Sequence, residues 1–87
     1  MLSAKKVSEA LQREGVKVSG YQESQNPKIM DGEVTLENGL SVQVGADYAC
    51  LCKVEGEEID YLLEVEEVAS ADAFAEQVAR FMKTQAG

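Results

Sequence analysis

Apolar residues recur along the chain with two different periods, and the switch between them marks out the elements. Near the start, Val7, Ala10 and Leu11 follow Ser3 at helical spacing. Ser3 is a good N-cap, Glu9 stands four residues before Arg13, and Gly15 supplies a stop. This predicts a short N-terminal helix that needs tertiary packing to hold it. At the other end Ala71, Phe74, Ala75, Val78, Phe81 and Met82 form one stripe, which predicts a helix from an N-cap at Ser70 to about Gln85. Asp72 in its first turn and Lys83 in its last suit the helix dipole.

Between the helices the period is two, the spacing of strands. Val16 to Tyr21 reads as a first short strand, and the polar segment Gln22 to Lys28, with Asn26-Pro27, as the longest loop. The later strands are aligned by matching apolar faces across each turn, since a one-residue slip moves every side chain to the wrong face. A three-residue loop Glu37-Asn38-Gly39, with Gly39 left-handed, pairs Leu36 with Leu40 and Val34 with Val42. Across Gly45-Ala46-Asp47 the rule pairs Val44 with Tyr48, Val42 with Cys50 and Leu40 with Cys52. Across the Glu55-Gly56-Glu57-Glu58 turn it pairs Val54 with Ile59, Cys52 with Tyr61, Cys50 with Leu63 and Tyr48 with Val65.

The expected fold is α+β: a two-layer sandwich in one domain, 1–87, with an antiparallel meander of four to five strands and the N-terminal and C-terminal helices packed on one face. A closed five-stranded barrel is the competing shape. A composition that is 45% hydrophobic and 28% charged suits a folded chain.

Charge narrows the partners. Sixteen acids against eight bases leave a net charge of −8, which argues against direct binding of nucleic acid or an anionic membrane and leaves a basic protein partner open. Between Lys53 and Arg80 there is no base at all, whereas acids recur from Glu55 to Glu76. No apolar run approaches the ~18 residues of a membrane span, and Met1-Leu2-Ser3-Ala4-Lys5-Lys6 lacks the apolar core of a signal peptide, so a cytoplasmic location is expected.

The same register assigns the face turned away from the helices. Thr35, Ser41, Leu51 and Leu62 fall in one row, with the two leucines adjacent, a candidate homodimer interface. Glu33, Asp60, Glu64 and Glu66 form the candidate acidic surface, and the basic zone of Lys5, Lys6, Arg13 and Lys17 would meet such a surface on a second copy.

Cys50 and Cys52 read as a reduced core pair, because a zinc site would want two further Cys or His ligands. No cofactor or metal is expected; Glu55-Gly56-Glu57-Glu58 reads as a solvated hairpin tip. With no histidine, no nucleophile elbow and no phosphate-binding glycine loop, an enzyme is not expected. The leading expectation is a small acidic binding or interaction protein that self-associates. Two alternatives stand beside it. One is an inhibitor whose carboxylates mimic nucleic-acid phosphates to occupy a nucleic-acid-binding protein. The other is a small-ligand carrier with a pocket between the sheet and the C-terminal helix, lined by Tyr48, Cys52, Tyr61, Phe74, Val78 and Phe81.

Overall fold

The computed structural model describes residues 2–23 and 32–86. Helix α1 (Ala4–Arg13) leads into five strands, β1 (Val18–Glu23), β2 (Gly32–Leu36), β3 (Leu40–Val44), β4 (Ala49–Glu55) and β5 (Glu58–Val65), and helix α2 (Ala71–Ala86) closes the chain. The strands form one antiparallel sheet in sequence order, open between β1 and β5, so the barrel does not form. The fold is the expected α+β arrangement, with the possible fifth strand present. Among the described residues no helix is long and apolar enough to cross a membrane.

Both helices start at the serines the sequence marks. The Ser3 hydroxyl accepts the Lys6 amide at 3.2 Å, and the Ser70 hydroxyl accepts the Ala73 amide at 3.1 Å. The first turn of α1 has a second acceptor, the Glu23 carboxylate at the end of β1, which takes the Ala4 and Lys5 amides at 3.4 and 3.0 Å. Glu23 and Gln22 thus belong to β1, not to the expected loop, whose remaining residues lie outside the described ones.

α1 lies over β1, β2 and β3, while α2 packs beside α1 and meets β5. Val7, Ala10 and Leu11 of α1 and Phe74 and Val78 of α2 are buried with Val34, Leu36, Val42, Val44, Ala49 and Leu51 of the sheet. α1 approaches β2 so closely that a Cβ at Gly32 would stand 2.6 Å from the Cβ of Ala4, a separation only glycine allows.

The registers decide which side chains reach which face. The first turn is as expected: Val34 faces Val42 and Thr35 faces Ser41, with Gly39 at φ 92°. The second differs. Val44 faces Ala49, and Val42 faces Leu51 in place of Cys50, so the loop has four residues, Gly45 to Tyr48. It is closed by the Gly45 amide donating to the Tyr48 carbonyl at 2.6 Å. The Ala46 and Asp47 carbonyls accept the Leu2 and Val68 amides at 3.1 and 2.7 Å. Those tertiary bonds hold the longer loop, and Tyr48-Ala49-Cys50-Leu51-Cys52, apolar on both faces, fits either register.

Across the third turn Val54 faces Ile59, Lys53 faces Asp60 and Cys52 faces Tyr61, as expected. A β-bulge at Leu62 then shifts the register, so that Leu51 faces Leu63, Cys50 faces Glu64 and Ala49 faces Val65. The expected Cys50–Leu63 and Tyr48–Val65 pairs do not occur. Because of the bulge, Ile59 and Tyr61 turn away from the helices while Leu63 and Val65 pack against the core.

Candidate functional site

The face without helices is built from alternate residues of the sheet. One row runs Gly20, Thr35, Ser41, Cys52, Tyr61; a second runs Gln22, Glu33, Gln43, Cys50, Glu64; Val54 and Ile59 extend the face toward the β4–β5 tip. Only Glu33 and Glu64 carry charge in these rows, and two strands separate them. The rest is an uncharged stripe on a chain with net charge −8.

The β4–β5 arm reaches past the other strands and reverses their sidedness. In the body of the sheet the apolar side faces the helices. In the arm Lys53, Glu55, Glu58 and Asp60 fall on the helix side, and Val54, Ile59 and Tyr61 fall on the other, exposed by 44%, 41% and 51%. Lys53 pairs with Glu55 at 2.8 Å on the helix side, where both are solvent-exposed. That pairing raises the lysine pKa and lowers the glutamate's.

Both cysteines lie on the helix-free side, not in the helix-covered core, yet both are fully buried. Burial, followed by the neighbouring Cys50 and Glu33, pushes the Cys52 thiol up to about 11. Hydrogen bonding with Cys50, partial burial and the charges of Cys50 and Glu64 likewise raise the Tyr48 hydroxyl. A protonated Cys52 is a poor nucleophile. Among the described residues, no three His, Cys, Asp or Glu side chains converge to hold a metal ion.

The structure separates several residues that the sequence register joined. Thr35 and Ser41 are neighbours on the helix-free face, but Leu51 is wholly buried on the other side, and Leu62 is the extra residue of the bulge, 37% exposed. Leu51 and Leu62 therefore form no exposed pair. Glu33 and Glu64 share the helix-free face, Asp60 lies on the helix side and Glu66 follows the end of β5, so these acids do not make one surface. Phe74 is in the core and Phe81 packs against it, whereas Tyr48 and Tyr61 lie across the sheet, so the expected pocket does not assemble.

Among the described residues, only Phe81 of the expected pocket lines a concavity between the sheet and α2, a shallow one of about 290 Å³ with Leu63, Gln77, Arg80 and Thr84, and larger grooves lie elsewhere. An open groove of about 520 Å³ has Val16, Ala79 and Met82 in its lining, with Lys17 and Lys83 beside them, and another of about 580 Å³ lies between Lys6, Asp47, Val68 and the start of α2. The features missed from sequence are the arm's reversal and the outward Tyr48, Cys50 and Cys52. The available signal was the apolar run from Tyr48 to Cys52, which supplies both faces at once. No family model, no curated protein and no solved structure matches the chain.

Proposed function

We propose that this chain is a small, non-enzymatic binding protein that associates with a second copy of itself through the helix-free face of its sheet. The observation that carries the reading is the uncharged stripe of Thr35, Ser41, Tyr61, Ile59 and Val54, exposed or partly exposed around the buried Cys52 on a strongly acidic body. Depletion of charge together with an exposed aromatic, here Tyr61 on the edge strand, is the compositional mark of a protein interface. Glu33 and Glu64 would then stand toward the rim, where water and salt screen them.

The partner's chemistry follows from the same charges. Two such faces meet through tyrosine, isoleucine and valine while both bodies repel, so added salt should favour the association. A docking driven by the basic zone of α1 would respond in the opposite sense. An NMR dilution series tests the reading. Resonances of Ser41, Ile59 and Tyr61 should move with concentration while those of the buried Val7 and Leu11 stay fixed; an invariant helix-free face would overturn it.

A further inference from the structure

β5 is an edge strand, and among the described residues no strand pairs with its outer side. Alternate amides and carbonyls along Glu58–Val65 are therefore left for solvent or for an incoming strand. The stretch ahead of the bulge carries a two-sided pattern. Glu58 and Asp60 stand opposite Glu55 and Lys53 on the helix side, and Ile59 and Tyr61 stand opposite Val54 and Cys52 on the helix-free side. Glu58, Ile59, Asp60 and Tyr61 are all exposed, and among the described residues neither Glu58 nor Asp60 forms an ion pair.

We propose that the Glu58–Tyr61 edge accepts, as a sixth strand, an extended peptide segment that alternates lysine or arginine with β-branched or aromatic residues. Its cations would lie beside Glu58 and Asp60, and its apolar side chains beside Ile59 and Tyr61. Main-chain hydrogen bonds to the free edge supply affinity, and cross-strand neighbours supply selectivity. A second copy of β5 is the wrong occupant, because pairing like with like sets acids against acids. The bulge at Leu62 interrupts the flat edge and confines the engaged stretch to the arm. This edge borders the helix-free face and shares Ile59 and Tyr61 with it, but strand addition uses the main chain of β5 and does not depend on self-association.

Fluorescence anisotropy of a short labelled peptide alternating lysine and valine, titrated with the full chain, tests the proposal. Saturable binding is expected, with slowed hydrogen exchange confined to β5. Methylating the peptide's backbone nitrogens along one edge should abolish binding. Asp60→Lys, at an exposed position and with its fold checked by circular dichroism, should weaken it about tenfold. No binding, or equal binding by the methylated peptide, which marks charge attraction alone, would overturn the proposal. Equal binding by a peptide with glutamate in place of lysine would overturn it too.

Discussion

Leu51 faces Leu63 across β4 and β5, and the bulge residue Leu62 immediately precedes Leu63. Leu51 is wholly buried beneath the helices and Leu62 is 37% exposed, so two leucines of one hairpin have opposite energetic weight. Leu51→Ala should cost about 2 to 5 kcal/mol through lost burial and a residual cavity. Leu62→Ala should cost under about 1 kcal/mol, the range of a substitution away from the core. Chemical denaturation of the two variants checks this, and equal losses would show that the register is wrong.

The elements and the sheet order were legible in the sequence because each rests on a local signal. Ser3 and Ser70 start helices, Gly39 permits the tight loop, and the stripe from Phe74 to Val78 asks for a core. The faces of β4 and β5 were not legible. Tyr48, Cys50 and Cys52 are as apolar as Ala49 and Leu51, so alternation alone cannot choose between them. The choice rests on Leu2 and Val68 bonding the Gly45–Tyr48 loop, contacts distant in sequence. The bulge at Leu62 leaves a single weak mark, the apolar triplet Tyr61-Leu62-Leu63, which an unbroken period of two accommodates as well. With the faces exchanged along β4 and along β5 as far as the bulge, the interface residues exchanged as well: Leu51 left the surface and Tyr61 joined it.

Glu23 reaches from β1 to the first turn of α1, where its carboxylate accepts two main-chain amides. Glu23→Ala leaves Ser3 as the remaining side-chain cap there among the described residues and should lower stability by about 0.5 to 2 kcal/mol. Thermal unfolding followed by circular dichroism measures this. Asp at this position is a useful second variant, since its shorter arm should restore little of the loss; full recovery would show that charge near the helix end suffices without the bonds.

The buried Cys52 makes a signed prediction about alkali. Its folded thiol holds its proton up to about 11, against an ordinary value of 9.0. Below 9.0 both states are protonated and the full contribution is present. Between 9.0 and about 11 the unfolded chain has released a proton that the folded chain keeps, so stability drains as pH rises through that window. Urea unfolding midpoints should fall across it, and Cys52→Ala should fall less steeply. An unchanged slope in the variant would assign the alkaline loss to other groups.

Self-association is tested most directly by the mass of the chain in solution, measured by light scattering after size exclusion at low and high salt. Wild type should approach twice the 9.4 kDa of a single chain, with the larger species favoured by salt, and Tyr61→Glu should give folded single chains. A wild-type mass of 9.4 kDa at both salt concentrations, or a Tyr61→Glu variant that still pairs, would contradict self-association through the helix-free face.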